Sequence, residues 1–86
     1  MIKIVKIYGT HCYPCKLLIP ILEKIKQNYS NVNIEEVNID EGVPQEYQDL
    51  NIMQTPTLVF YKDNKVISIL SGLQTYEKIE EQIKNV

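Results

Sequence analysis

Apolar and polar residues follow one another along the first half of the chain in patterns typical of strands and helices. Residues 2–8 are apolar enough to predict a strand that is covered on both faces. From about Pro14 to Tyr29, apolar residues recur at steps of three and four, which predicts an amphipathic helix that Pro20 should kink. Residues 32–39 predict a second strand, and a short helix is expected from Pro44 to Leu50.

The second half of the chain is predicted to contain a hairpin and a final helix. Residues 57–61 and 66–70 are rich in β-forming side chains. The turn between them, Lys62-Asp63-Asn64-Lys65, has a central Asp-Asn pair that tolerates positive φ. Thr75 is a suitable N-cap for the last helix. The predicted order is therefore βαβαββα, in which the first βαβ unit has a right-handed crossover and two parallel strands.

Length, composition and charge narrow the class of protein. The 86 residues predict one domain spanning 1–86, and 44% apolar with 23% charged residues is typical of a globular chain. A net charge of −2 disfavours nucleic acid as a partner, because there is no basic excess to neutralise phosphates. No apolar run reaches the roughly 18–20 residues that cross a bilayer. The lysine-interrupted N-terminus is unlike a secretory signal, so we expect no membrane association and a cytoplasmic location. The acidic pairs Glu35-Glu36 and Glu80-Glu81 are expected on solvated faces.

The two cysteines, Cys12 and Cys15, lie where the first predicted strand gives way to the first helix. A disulfide between residues so close in sequence would constrain the unfolded chain very little, so a structural role explains it poorly. The first turn of a helix has unpaired N–H groups and a positive dipole end, which favour a thiolate. Pro14 is tolerated there because that turn does not need its N–H. The pair therefore predicts an activated nucleophile with a second thiol within disulfide reach.

Two alternatives stand beside this interpretation of the cysteines. One is a pair of inert buried thiols, which their position at a strand–helix junction disfavours. The other is a metal site, since His11, Cys12 and Cys15 offer three ligands. Structural zinc takes four ligands and the sequence contains no second Cys/His cluster, so metal binding would need a dimer. A C-x-x-C motif near a βαβ pattern in a reducing cytosol favours redox activity over both.

Several segments resemble those of thioredoxins, and the resemblance covers nearly the whole chain. Residues 12–22 resemble the active-site segment and kinked helix of that family, and residues 37–41 its second-strand ending. Residues 51–58 resemble its cis-proline loop, and Ser71-Gly72 its late glycine. Thioredoxins carry an extra strand and helix before the active-site strand, and residues 4–8 are closer to glutaredoxins and small glutaredoxin-like thioredoxins. The resemblance implies an α/β thioredoxin-like fold, with a four-stranded mixed sheet in the order 2-1-3-4 and helices on both faces.

The same resemblance implies roles for the matching residues. Cys12 would be the attacking nucleophile and Cys15 the resolving thiol. Substrate-binding roles fall on five further positions: Tyr13, Pro14, Thr55, Pro56 and Gly72. Pro56 would be cis and would bring the Thr55 backbone beside the disulfide to pair with an extended substrate, the alternative being a strand-initiating proline. Gly72 would allow close backbone approach, unless it is a simple turn glycine. Tyr13 would pack on a substrate, unless it is an idle surface aromatic.

Three departures from the family pattern affect the expected chemistry. Lys6 occupies the position of a buried acid that helps to move the resolving cysteine's proton, and it either favours a thiolate by its charge or extends to solvent. His11 replaces a tryptophan, and it either stabilises the thiolate when protonated or is an exposed loop residue without a role. The segment 71–75 lacks the acid with which glutaredoxins hold glutathione, which argues against glutathione as the dedicated reductant.

The sequence therefore predicts a monomeric thiol–disulfide oxidoreductase. It would reduce protein disulfides through a Cys12–Cys15 dithiol/disulfide cycle with a mixed-disulfide intermediate. A flavin-dependent thioredoxin reductase would then reduce the oxidised cysteine pair again. No bound cofactor and no metal are expected, because the cysteine pair itself holds the electrons. One alternative is a glutathione-coupled glutaredoxin. The alternatives from another class are a non-catalytic thioredoxin-fold binding module and a metal-binding dimer.

Overall fold

The computed structural model describes residues 1–85, which form one sheet and the helices packed on it. The elements follow the predicted order, with one short 3₁₀ helix added after the second strand. Their bounds are β1 Ile2–Tyr8, α1 Tyr13–Asn28, β2 Val32–Asn38, the 3₁₀ helix Ile39–Glu41, α2 Gln45–Gln48, β3 Thr57–Lys62, β4 Lys65–Ser71 and α3 Tyr76–Lys84. Within residues 1–85, no helix combines the length and the apolar character that a membrane crossing requires.

The four strands are ordered β2-β1-β3-β4, as the resemblance implies. β1 and β2 are parallel, whereas β1 with β3 and β3 with β4 are antiparallel, so the sheet is mixed. In this register Ile4 lies opposite Ile34 on one side and Phe60 on the other. Lys6, two residues further along, lies opposite Glu36 on β2. The register therefore puts a lysine and a glutamate side by side near the end of the strands.

Alternate residues of β1 point to opposite faces of the sheet, and each face is covered by helix. The larger core cluster joins one face to α1 and α3; its buried members are Ile2, Ile4, Leu18, Leu22, Ile25, Val32, Leu58, Phe60, Ile79 and Ile83. The smaller cluster joins the other face to α2; its buried members are Val5, Ile7, Tyr47 and Val59. The even positions of β1 thus face α1, and Lys6 belongs to that row.

The β3–β4 hairpin has the two-residue loop that its sequence predicts. Asp63 and Asn64 have φ values of 53° and 67°, the left-handed conformation that Asp and Asn adopt more readily than most residues. Beyond the turn the register shifts, because Phe60 lies opposite Ser68 while Tyr61 lies opposite Val66. This bulge increases the local twist of the hairpin, and the alternation of side chains does not reveal it.

The second strand and the short helix α2 end at different residues from those expected, and a local hydrogen bond in one case and backbone conformation in the other account for this. The second strand stops at Asn38 because the Asn38 side chain accepts a hydrogen bond from the Asp40 N–H at 2.9 Å and begins the 3₁₀ helix. The short helix α2 covers only Gln45–Gln48 instead of Pro44 to Leu50. It follows Pro44, which has an extended ψ of 144°, and Asn51 turns the chain with a φ of 53°.

Candidate active site

The cysteine pair lies at the N-terminus of α1, as its sequence position predicts. Cys12 is the N-cap, and its sulfur accepts a hydrogen bond from the Cys15 N–H at 3.2 Å. The two sulfurs form a disulfide, with the Cα atoms 5.3 Å apart. Cys12 is 9% exposed and Cys15 3% exposed, so an incoming disulfide reaches Cys12 first. The helix dipole and the unpaired N–H groups of the first turn favour a thiolate at the N-cap.

The loop between β1 and α1 is held by the chain that follows β2. The Thr10 N–H donates to Asp40 Oδ2 at 2.8 Å, and the Asn38 amide donates to the Thr10 hydroxyl at 3.2 Å. The pKa of Asp40 is lowered, first by the hydrogen bond from the Thr10 N–H, then by the Thr10 side chain and the charge of His11. His11 is exposed and lines a cavity together with Asp40 and Cys12, so the structure brings it to the disulfide.

Asp40 is a site residue that the sequence reasoning missed. It belongs to residues 37–41, the segment that resembles the second-strand ending of thioredoxins. A usable signal was present, because parallel neighbouring strands end at the same edge of a sheet and bring the residues after them together.

The loop that carries the cis proline precedes β3 and lies beside the cysteines. The Thr55–Pro56 peptide bond is cis, as the resemblance implies. Thr55 lines the same cavity as Cys12, Tyr13 and Pro14. Pro56 is buried. Three of the five residues assigned to substrate binding therefore line the cavity beside the disulfide, and a fourth, Pro56, follows Thr55 in the chain.

Gly72, the fifth residue assigned to substrate binding, supports the proline loop from β4. Its N–H donates to the Pro56 carbonyl at 2.7 Å, and its φ is 85°. A Cβ at this position would lie 3.2 Å from the Gln54 side-chain nitrogen. The left-handed backbone favours glycine here, whereas the Gln54 amide is the end of a flexible side chain that can move aside.

Exposed apolar side chains lie on each of the three segments that form the site. Tyr13, between the cysteines, is 69% exposed; Met53, before the proline loop, is 88% exposed; and Leu73, after the late glycine, is 44% exposed. The disulfide is therefore surrounded by segments that each offer an apolar contact.

Lys6 is buried and lines the same cavity as the two cysteines. Its side chain is 3% exposed, so it does not extend to solvent, which was one of the two expected arrangements. Its Nζ lies 3.5 Å from Glu36 Oε2. Both residues line a cavity of about 370 Å³ together with Cys12 and Cys15. Glu36 was expected on a solvated face, and although its side chain is 57% exposed, its carboxylate pairs with this buried lysine.

Metal-ligating side chains were considered because His11 adjoins the cysteines. Within residues 1–85, no group of three or more His, Cys, Asp and Glu side chains is arranged to hold a metal ion. The sulfurs of Cys12 and Cys15 are joined to each other. The arrangement at the site is therefore that of a dithiol/disulfide pair at a helix N-terminus.

Comparison with known proteins agrees with this arrangement. The family model described as Thioredoxin matches residues 1–85. Thioredoxin from Staphylococcus saprophyticus is 31% identical over 84 residues, which are 96% of this chain and 80% of that protein. Thioredoxin from Alicyclobacillus acidocaldarius is 30% identical over 84 residues, covering 96% of this chain and 79% of that protein.

Comparison with solved structures also identifies thioredoxins, in this case by the similarity of the fold. The oxidized form of mitochondrial thioredoxin 3 from Saccharomyces cerevisiae superposes with a TM-score of 0.87 at 29% identity, covering 99% of this chain and 78% of that one. Fold, cysteine geometry and relatives agree, and the chain belongs to the thioredoxin family, whose thiol–disulfide oxidoreductase chemistry it carries in the Cys12–Cys15 pair.

Proposed function

We propose that this chain reduces disulfide bonds in protein substrates and is re-reduced by a flavin-dependent thioredoxin reductase. The observation that carries the proposal is the set of exposed apolar side chains on the segments around the disulfide: Tyr13, Met53 and Leu73. An apolar rim suits a polypeptide surface, because burying apolar area drives most protein association. The thioredoxin family acts on disulfide-containing proteins, which supports the same assignment.

The segment after Gly72 supports a reductase rather than glutathione as the electron donor. Gln74 donates its side-chain amide to the Ser71 carbonyl at 2.9 Å, so it is directed to its own loop. No acid occurs between Ser71 and Thr75 to hold the amino group of glutathione. A tripeptide with charged ends would find few ionic partners on this segment, which disfavours the glutaredoxin alternative.

The exchange begins at Cys12. Its thiolate attacks one sulfur of the substrate disulfide, a mixed disulfide forms on Cys12, and the other substrate sulfur leaves as a thiolate that takes up a proton. Thr55 lines the same cavity, and we expect its backbone to pair with an extended substrate segment. Cys15 then resolves the mixed disulfide, which leaves the substrate reduced and the cysteine pair oxidised.

The compartment that suits this cycle is a reducing one, so the proposed location is the cytoplasm. A disulfide closing so short a loop stabilises the fold little, which favours a redox role over a structural one. We expect the chain to act as a monomer, since the reactive pair and the segments around it all come from one copy.

A reconstituted turnover assay tests the choice of donor. Reduction of insulin disulfides is followed with NADPH and a bacterial thioredoxin reductase, and separately with NADPH, glutathione and glutathione reductase. We expect sustained turnover with the first system and little above background with the second. Cys12→Ser serves as the control, because it removes the proposed nucleophile. Faster turnover with glutathione would instead support the glutaredoxin alternative.

A further inference from the structure

Lys6 and Cys15 lie at the same end of the fold on the same face of the sheet. The even positions of β1 face α1, and Lys6 extends the row that Ile2 and Ile4 begin. On α1, Cys15 is the first member of the buried stripe that faces the sheet. The two rows therefore meet where β1 ends and α1 begins, with a lysine on one side and the resolving cysteine on the other.

One cavity connects these groups with each other and with solvent. Its lining includes Lys6, Glu36, Cys12 and Cys15, and its volume is about 370 Å³. A water molecule occupies roughly 30 Å³ in the liquid, so several fit in a space of this size. The cavity therefore offers a path by which a proton from the buried Cys15 thiol can leave.

The charge of Lys6 is only partly compensated. Burying an ammonium group is costly unless it is paired, and Lys6 has Glu36 Oε2 at 3.5 Å and the Tyr8 ring centroid at 5.4 Å. The Glu36 side chain is 57% exposed, so solvent screens its carboxylate more than it screens the ammonium. The Lys6 charge is therefore only partly offset at the cavity that Cys12 and Cys15 also line.

Other charged side chains lie near Lys6 and Glu36, but all of them are exposed. Glu23 and Lys26 on α1 line the adjoining groove, and Lys16 lines the cavity nearer the cysteines. Glu23 and Lys26 have opposite signs, and exposed charges are screened by salt within about 10 Å. Within residues 1–85, Lys6 is the one charged residue that is buried.

We propose that the Lys6 ammonium stabilises the Cys15 thiolate while the mixed disulfide is resolved, and that Glu36 limits how much of this charge the thiolate experiences. Lys6 acts here as a positioning residue: its charge stabilises the negative charge on Cys15, and it forms no bond with the reacting atoms. The inference rests on the exchange chemistry of the cysteine pair and is independent of which reductase or substrate it meets.

The step is an ordinary exchange with the proton accounted for. The Cys15 thiol gives its proton to water in the cavity, and the resulting thiolate attacks the Cys12 sulfur. The Cys12–Cys15 bond forms as the bond between Cys12 and the substrate sulfur breaks, and the substrate sulfur leaves with the electron pair and takes up a proton. A positive charge beside Cys15 increases the fraction of thiolate available for this attack.

A stopped-flow reaction with 5,5′-dithiobis(2-nitrobenzoate) tests the proposal without any protein partner. The reduced chain releases one thionitrobenzoate when Cys12 attacks and a second when Cys15 resolves the mixed disulfide, and the rate of the second phase is measured across a pH series. For Lys6→Met we expect the midpoint of this rate profile to move upward by about one pH unit, which is about tenfold less thiolate at a fixed lower pH. For Glu36→Gln we expect a downward shift, because the ammonium loses its counter-charge.

The neighbouring ion pair provides matched controls. Lys3 Nζ lies 3.8 Å from Glu35 Oε2, and both residues are at odd positions of the register, away from α1. Lys3→Met and Glu35→Gln remove the same two kinds of charge from the opposite face of the same two strands, and we expect both to keep the wild-type midpoint.

A second measurement checks the equilibrium consequence. Lys6→Met should stabilise the disulfide over the dithiol about tenfold in a glutathione redox buffer held above the rate midpoints of both proteins, where Cys15 is a thiolate, a change of about 30 mV toward more reducing potentials. Wild-type values of midpoint and potential in Lys6→Met would overturn the proposal, as would a Glu36→Gln shift in the same direction as that of Lys6→Met. A merely structural role would appear in urea unfolding and leave the midpoint unchanged. Should Lys6→Met fail to fold, Glu36→Gln on the exposed carboxylate decides alone.

Discussion

The Tyr29 hydroxyl donates a hydrogen bond to Glu80 Oε2, which ties the end of α1 to α3 across 51 residues of sequence. Tyr29 is the C-cap of α1, and Glu80 also pairs with Lys84 one turn along α3 at 3.7 Å. The hydrogen bond raises the pKa of Tyr29 from its usual 10.0 to about 12, and the same bond lowers the pKa of Glu80. Both shifts indicate that the bond is strongest with Tyr29 protonated and Glu80 ionised.

Tyr29→Phe should therefore destabilise the fold in a pH-dependent manner. The raised pKa of Tyr29 means that its stabilisation is complete below pH 10.0 and is lost as the pH rises through about 12. The lowered pKa of Glu80 means that its contribution is present above 4.5 and is lost as the pH falls through its folded value. Urea unfolding of wild type and variant should differ most between these limits. Tyr13→Phe, which removes a hydroxyl from a 69% exposed side chain, is the control. A difference of the same size at every pH would contradict the assignment.

The N-cap of α3 is a second point where one side chain supports a helix. The Thr75 hydroxyl accepts a hydrogen bond from the Lys78 N–H at 3.1 Å. Thr75→Ala should cost about 1 kcal/mol, and Tm should fall by roughly 4–8 °C for a domain of this size. Thr75→Ser keeps the hydroxyl and should melt close to wild type in the same circular-dichroism scan. Equal melting temperatures for Ala and Ser variants would show that the cap does not stabilise α3.

The hairpin turn gives a third prediction, in which glycine is the matched control. Asn64 has a φ of 67°, where a Cβ without a compensating side-chain hydrogen bond is unfavourable. Asn64→Ala should lower the free energy of unfolding by about 1 kcal/mol, whereas Asn64→Gly should stay near wild type because Asp-Gly suits this two-residue loop. Urea titration of the three proteins measures both changes. Glycine and alanine variants of equal stability would argue against a left-handed conformation at this position.

The elements of the fold were predictable because short stretches of sequence determine them. The steps of three and four in α1, the Asp63-Asn64 turn and the Thr75 cap each act over a few residues, and the structure has all of them. The bulge in β4 was not predictable, because it depends on how Phe60 and Ser68 pair across the hairpin. Patterns of apolar residues define which face a strand buries but do not report a local register shift.

In the candidate site too, residues placed by a short stretch of sequence were predictable, and residues placed by strand pairing were not. Cys12 and Cys15 were evident from their spacing and their place before a helix, whereas Glu36 and Asp40 are acids that reach the site through the pairing of β2 with β1. Glu36 could have been found by aligning the apolar rows of the two strands, which places it directly opposite Lys6. A charged residue that is partly exposed looks like any other surface residue until its partner is known.

Single-cysteine variants distinguish the roles of the two thiols. Cys12 is the N-cap of α1 and is 9% exposed, while Cys15 lies one turn further in and is 3% exposed, so only Cys12 can begin an exchange with a protein disulfide. Cys15→Ser should accumulate a mixed disulfide, because the attack occurs and nothing resolves it. Cys12→Ser should lose disulfide reduction and form no adduct, because its remaining thiol is buried. Intact mass spectrometry after mixing each reduced variant with insulin measures the adduct, and dithiothreitol should remove it. An adduct on Cys12→Ser with none on Cys15→Ser would reverse the two assignments.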